Sequence, residues 1–347
     1  MNEVNKGIHV IDNSNAASPV NAAFIDLPGN VDIAVKENIL YADFYTDLVA
    51  IDISNPLNVS AIKFVPNVFP QRYYYGYRTD STKVIYDWVK NTKTVEVGCS
   101  TGPAIFSDGV LFNSMDAGLA SSSSKASPVG ISGSLARFGI VNEYMYAVSE
   151  DSLKVISLAS AQNPVMSNSI SLGWGIETLF PFKDKLFIGS NTGMQIYNIS
   201  NPLNPARQGS FEHVRTCDPV IADDDYAYVT LHSGSRCAGF TNQLEVLNIK
   251  NIMSPILLKT YLLTSPRGLS KDGNLLFICD GSDGLKVFNA ADPLAINMVK
   301  QFAMTEANDV IAHNGIALVI AKDGLYQYDY SNAANIKLIS KIIVQNN

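Results

Sequence analysis

The sequence predicts an all-β fold, a β-propeller of four-stranded antiparallel blades, seven in number with an incomplete N-terminal blade. Three observations predict it. First, an apolar strand ending in an acid, an amide or a hydroxyl recurs at Asp12, Asp52, Ser157, Asn198, Asn248, Asn289 and Asp329, at intervals of 40, 105, 41, 50, 41 and 40 residues. Second, apolar runs opening at Leu40, Met145, Leu186, Ala227, Leu276 and Ala317 are spaced by 105, 41, 41, 49 and 41. The two series share the long gap and the moderate one, which chance apolar matches would not do. Third, almost no stretch carries the 3.6-residue period of a helix. A period of about 40 residues with four strands per unit is the length of a propeller blade.

One unit, Gly268 to Met304, justifies the strand count. Gly268–Leu269–Ser270 enters a first strand, and Lys271–Asp272–Gly273 turns it, because Asp-Gly reaches positive φ at little cost. Asn274–Cys279 is the second strand. Asp280–Gly281–Ser282–Asp283–Gly284 turns the chain again. Leu285–Lys286–Val287–Phe288–Asn289 is the third, and Asp292–Pro293 breaks it, since proline cannot donate to a ladder. Ile296 to Met304 is the fourth. Such a sheet has two apolar faces and cannot bury both alone; stacking in a ring covers them.

The first unit is short. Gly7–Asp12 reads as a third strand and Val20–Leu27 as a fourth, with only Met1–Lys6 ahead of them. The last unit supplies all four strands itself, from Val310 to Val344. The expectation is a chain that begins mid-blade behind a processed or trimmed segment. The alternative is six full blades with the N-terminal hairpin clamped elsewhere on the ring. The whole chain, 1–347, reads as one propeller domain, with an insertion at about residues 68–133 between the second and third units.

The strands Ile8–His9–Val10–Ile11–Asp12, Leu48–Val49–Ala50–Ile51–Asp52, Leu153–Lys154–Val155–Ile156 and Leu285–Lys286–Val287–Phe288 resemble the LVIVD-repeat family of β-propeller proteins. The breakers Asn55–Pro56, Asn163–Pro164, Asn201–Pro202 and Asp292–Pro293 fit the same pattern. The likeness covers nearly the whole chain outside the insertion. It implies a bacterial or archaeal extracytoplasmic protein of poorly defined function, and it carries no catalytic residues over.

Two stretches break the period. The insertion opens with an aromatic run that includes Tyr73, Tyr74, Tyr75 and Tyr77, continues through Trp88, and then turns to loop composition with four consecutive serines at 121–124. The unit from Thr216 to Leu263 is about ten residues longer than its neighbours, and the surplus lies within Leu231–Asn242.

Composition fits a folded β-rich protein: 347 residues, 47% hydrophobic, 16% charged, with 16 Tyr and 15 Phe. The net charge of −7 argues against nucleic acid as a partner. No apolar run approaches the roughly 20 residues of a membrane span, so membrane attachment would come from lipid anchoring or not at all, with secretion depending on a segment ahead of Met1.

Four constellations are candidates for function. Cys217 and Cys237 fall at the start of a first strand and just past the end of the second strand paired to it. A disulfide there would close a loop of about twenty residues, worth roughly 3 kcal/mol, and would imply an oxidising compartment. Two free thiols are the competing reading. Asp32, Arg137, Glu177, Asp218, Arg267 and Asp309 occupy matching positions at the entrances of first strands and would ring one mouth of the central channel, where convergent polar groups make a default ligand site. The competing reading is structural, with these side chains bonding backbone amides between blades. His213 and His232, with Arg215 and Arg236, bracket the candidate disulfide but lack metal-ligand spacing. Trp174, with the aromatics of the insertion, is a candidate sugar- or protein-binding surface. No cofactor, metal or catalytic motif is read.

These features favour a non-enzymatic binding or scaffold protein at the cell surface or in the periplasm. It would hold a protein or a cell-surface polysaccharide on the face that carries Asp32, Asp218, the Cys217–Cys237 loop and Trp174. The alternative is a hydrolase or lyase with its site at the channel mouth.

Overall fold

Every blade ends its third strand in the same turn, and that turn is what the sequence repeats. The side-chain oxygens of Asp12, Asp52, Asn198, Asn248, Asn289 and Asp329 each accept the backbone N–H two residues on, at 2.8–3.0 Å, and Ser157 does so at 3.4 Å. Short polar side chains favour such local bonds over continuing a ladder. A second turn follows at once, closed for example by Asn58 N–H on Asn55 C=O at 2.9 Å and by Ala295 N–H on Asp292 C=O at 3.0 Å. Each third-to-fourth strand pairing also carries one register shift, at Ala50/Ile51 in blade 2 and at the equivalent place in the other six. A bulge there sharpens the twist that a blade needs.

The computed structural model describes residues 1–69, 73–74, 77–78, 85, 89, 133–212, 219–233 and 241–343. Seven antiparallel sheets form the ring. Blade 1 has three strands, Asn2–Glu3, Gly7–Asp12 and Val20–Asp26, so the incomplete blade is the first. Blades 2 to 7 have four strands each, paired in sequence order. Their inner strands are Ile33–Lys36, Phe138–Val141, Ile176–Phe182, Val220–Ala222, Leu269–Asp272 and Ala307–His313. The last blade draws all four strands from 307–343. Tyr73–Tyr74 and Tyr77–Arg78 pair as a separate two-stranded sheet between blades 2 and 3.

Six apolar clusters fill the spaces between successive blades, from blade 1 against blade 2 through blade 6 against blade 7. The third strand of blade 2 shows how a two-residue period serves two neighbours. Leu48 and Ala50 belong to the cluster shared with blade 3, while Val49 and Ile51 belong to the cluster shared with blade 1. Blade 7 meets blade 1 through a reciprocal amide pair: Asn13 Nδ2 donates to Gln327 Oε1 at 3.0 Å, and Gln327 Nε2 donates to Asn13 Oδ1 at 2.8 Å.

Polar bonds add register to this packing. Tyr41, Tyr146 and Tyr261 each send a hydroxyl across an interface to the proline-containing turn of the next blade, onto Ala161 C=O at 2.7 Å, Pro202 C=O at 3.1 Å and Pro293 C=O at 2.9 Å. Asp32 latches blade 2 to blade 3. Its Oδ2 accepts Arg137 N–H at 2.6 Å and Phe138 N–H at 2.9 Å, while Oδ1 accepts Ile33 N–H at 2.8 Å. Burial of this carboxyl, opposed by those three amides, pushes its pKa up to about 7.

Two outcomes follow from these contacts. Tyr41→Phe keeps the fully buried ring and removes one bond to a carbonyl in the interface, so it lowers the unfolding free energy by about 1–2 kcal/mol in urea titration. The Asp32 carboxyl titrates near 3.8 unfolded and at about 7 folded. Between those values the folded chain holds a proton that the unfolded chain has released, so raising the pH through that window removes stability. Asp32→Asn starts less stable, having one carbonyl for two sets of amides, and has lost that pH dependence. Parallel slopes of urea midpoint against pH in the two proteins would contradict the assignment.

Candidate functional site

In an antiparallel blade, the links from strand two to strand three and from strand four to the next blade leave from one face of the ring. The links from strand three to strand four leave from the other. The second face is uniform, because it carries the seven repeated turns described above. The two stretches that break the period both leave from the first and return to it. The insertion lies between the outer strand Ser60–Val65 of blade 2 and the inner strand Phe138–Val141 of blade 3, and the long link of blade 5 lies between Tyr226–Leu231 and Gln243–Asn248. Connections that vary over a fixed scaffold are where binding groups concentrate.

Of the candidate mouth residues, Asp32, Arg137, Glu177, Arg267 and Asp309 sit on this first face. Asp32 is 3% exposed and Asp309 1%, while Arg137, Glu177 and Arg267 are half-buried. Asp218, His213, Cys217 and Cys237 lie outside the described residues, as does Trp88.

The axis between these positions is occupied by chain. A turn at 133–136, closed by Ala136 N–H on Gly133 C=O at 3.2 Å, precedes the inner strand of blade 3. Buried Ser134 Oγ accepts Leu269 N–H of blade 6 at 2.7 Å. Ala136 C=O accepts Leu179 N–H of blade 4 at 2.8 Å, and the next two amides are those that Asp32 of blade 2 receives. Gly133 lies so close to blade 7 that a Cβ on it would come within 2.5 Å of Asp309 Oδ2. Only a segment on the ring axis can touch blades 2, 4, 6 and 7 at once. Gly268 presses on the same carboxylate from blade 6, where an added Cβ would meet Oδ1 at 2.0 Å.

Around this turn lies a second polar group, shared by blades 5, 6 and 7. The Arg267 guanidinium donates to Asn308 Oδ1. His232 Nδ1 lies 3.4 Å from Ser265 Oγ. Burial, reinforced by the positive charge of Arg267, holds the His232 pKa below its ordinary value, so the ring is neutral at pH 7. The turn Asp280–Gly281–Ser282–Asp283–Gly284 is filled by a lysine: Lys286 Nζ reaches Asp280 Oδ2 at 2.5 Å and Asp283 Oδ2 at 2.7 Å. Among the described residues no three His, Cys, Asp or Glu side chains converge as metal ligands do.

Off the axis, the same face carries a pocket of about 310 Å³ on blade 3, on the side of its outer strands turned toward blade 2. Four serines (149, 152, 169 and 171) line it, together with Glu150, Asp151, Lys154 and Trp174. The Lys154 ammonium donates to Ser169 Oγ at 2.9 Å. Its burial lowers its pKa, and Asp151 opposes that shift. Ser149 and Ser152 share a hydroxyl bond at 2.7 Å. Trp174 stands at the rim, 62% exposed. Its loop is pinned on both sides: Leu172 N–H donates to Asp151 C=O at 2.8 Å, and Ile176 N–H donates to Glu150 C=O at 3.1 Å. The flanking glycines, Gly173 and Gly175, have φ of +89° and +83° and let the chain turn sharply around the indole. Of the pocket's residues, sequence reasoning singled out only Trp174. The missed signals were a Gly–Trp–Gly link between two strands and a lysine set among apolar neighbours in Leu153–Lys154–Val155.

Comparison with known proteins agrees with this architecture. The profile of the LVIVD repeat matches residues 29–64, which run from the link after blade 1 through nearly all of blade 2. No curated protein matches the sequence. Among solved structures, a protein from Lactobacillus plantarum superposes with a TM-score of 0.63 at 12% identity, over 95% of this chain and 89% of that one. Saccharomyces cerevisiae Sqt1 superposes with a TM-score of 0.53 at 9% identity, over 95% of this chain and 78% of that one. A chain of the mitotic checkpoint complex gives 0.53 at 10% identity, over 90% and 79%. At such identities the likeness is one of fold. The chain is a seven-bladed β-propeller that carries the LVIVD repeat.

Proposed function

We propose that this propeller is a non-enzymatic binding or scaffold protein, at the cell surface or in the periplasm, that takes a protein or a cell-surface polysaccharide on its irregular face. The observation that carries the reading is the pocket under Trp174, where a large aromatic side chain stands exposed on a pinned loop above convergent polar groups. That both period-breaking stretches begin and end on that face supports it. The extracytoplasmic place rests on the resemblance to LVIVD-repeat proteins. The competing reading, a hydrolase or lyase at the channel mouth, needs an acid or base within reach of a substrate on the axis. The turn at 133–136 stands there, and Asp32 gives its oxygens to backbone amides.

Two measurements test this. The full chain is screened against an immobilised glycan array and a displayed peptide library. At least one ligand is expected whose retention falls tenfold or more in Ser171→Trp, which fills the pocket from an exposed position. The same ligand should be unaffected by Met253→Trp, 74% exposed on the opposite face. A screen in which every hit ignores Ser171→Trp, or in which a bound glycan is cleaved, defeats the reading. Thiol titration in denaturant without reductant tests the compartment. Two of the four cysteines should react, with Cys217 and Cys237 appearing only after reduction; four reactive thiols would place the protein in a reducing environment.

A further inference from the structure

Resting on that reading, the chemistry of the blade 3 pocket narrows the ligand: we infer that it holds an uncharged sugar ring, one residue of a neutral polysaccharide, with a C–H face of the ring against Trp174. Charge is the first discriminator. Glu150 and Asp151 line the pocket and would repel an anion. Lys154, a residue only 9% exposed, also lines it, and its ammonium would repel a cation brought in beside it. A ligand of either sign meets a like charge beside the opposite one, so attraction is offset by repulsion, whereas an uncharged ligand meets no repulsion.

Hydrogen-bonding type is the second discriminator. The two carboxylates only accept and the ammonium only donates, while Ser149, Ser152 and Ser169 do both. A sugar hydroxyl also does both, so a row of hydroxyls can satisfy this mixed set without leaving a buried donor or acceptor unpaired. A peptide backbone has fixed donors and acceptors and matches such a set less readily. The third discriminator is Trp174. The face of an indole carries negative charge density and attracts the slightly positive C–H edges of a sugar ring. Its loop is held by backbone bonds from Leu172 and Ile176, so little conformational freedom is lost when a ring settles on it. The pocket opens at the surface beside an exposed side chain, which suits an internal residue of a long chain as well as an end.

The test is calorimetric titration of the full chain with neutral hexasaccharides of glucose, N-acetylglucosamine, xylose and mannose, and with tetralysine and tetraglutamate as charged probes. Binding of at least one neutral hexasaccharide is expected. It should weaken tenfold or more in Trp174→Ala, recover to within about threefold in Trp174→Tyr, and weaken tenfold or more in Lys154→Met. Trp174→Ala should keep the parent's circular dichroism and urea midpoint, because the indole is mostly in solvent. Binding of none of the hexasaccharides, or binding indifferent to Trp174→Ala, overturns the sugar assignment. A charged probe or a displayed peptide that competes for the pocket and is lost in Ser171→Trp also overturns it, yet leaves the binding function standing. Indifference of every ligand to Ser171→Trp removes both.

Discussion

A blade inside this ring, such as blade 2, has no face of its own to turn to solvent. The third strand of blade 2 commits Leu48 and Ala50 to one neighbour and Val49 and Ile51 to the other, and all four are buried to within 3%. A four-stranded sheet with both faces apolar is soluble only when another sheet covers each side. The circle follows from that requirement, and so does the need for the blades to be alike. Each must present the same spacing of side chains to the next, which fixes strand length, bulge and turn. The outer strands are the exception, since nothing stacks beyond them. They leave Ile62, Phe64, Leu257 and Met298 partly in solvent, and lysines at 63, 259 and 300 sit between or beside these residues. Charged side chains of this kind discourage pairing between exposed edges.

The same requirement explains which parts were legible in the sequence. The acid-or-amide series was visible because each member performs one local task, accepting an amide two residues later, and only a few side chains can do that. The shared insertions were visible because two independent series moved together. The incomplete first blade was legible by counting strands. The axis was not. Ser134 reaches Leu269 across 135 positions of sequence, and nothing in Gly133–Ser134–Leu135–Ala136 announces a partner in blade 6. Asp32 stood out by its position in the repeat, but position alone could not distinguish a ligand group from a latch onto Arg137 and Phe138. The pocket was half legible. Trp174 is conspicuous in any sequence, whereas the approach of Ser149–Ser152 to it depends on the exit loop of blade 3 folding back onto a hairpin about twenty residues earlier.

The ring axis shows how such a closed assembly handles polar groups. Inner strands converge there, and their first amides have no neighbouring strand on the inner side. Buried amides without partners cost about 1–3 kcal/mol each. The chain supplies acceptors from elsewhere: a carboxylate from blade 2, a hydroxyl from the turn at 133–136, a carbonyl from the same turn. The cost is a carboxyl buried beside Asp43, whose charge adds to the rise in the Asp32 pKa. A mouth lined with polar residues is thus a poor guide to a ligand site in this fold, because the axis demands polar residues for its own closure.

That demand separates the two faces further. On the uniform face, turn geometry is dictated by the bulge and the breaker, so variation there disturbs every neighbouring blade. On the irregular face, the links are tied only at their ends, and length can be added without moving a strand. Lengthening a surface link costs little, about 0.6 kcal/mol for each doubling. Binding groups therefore accumulate where the scaffold is indifferent to them. The Trp174 loop is among the shortest links between blades, and the adjoining hairpin at Glu150 and Asp151 holds it at both ends, as the hairpin at Asn5 and Lys6 holds the link from blade 1 to blade 2. Rigidity there serves no purpose in closing the ring, since the apolar cluster between blades 3 and 4 already does so. The indole is thus carried in a set position by bonds that lie within one blade and its exit loop.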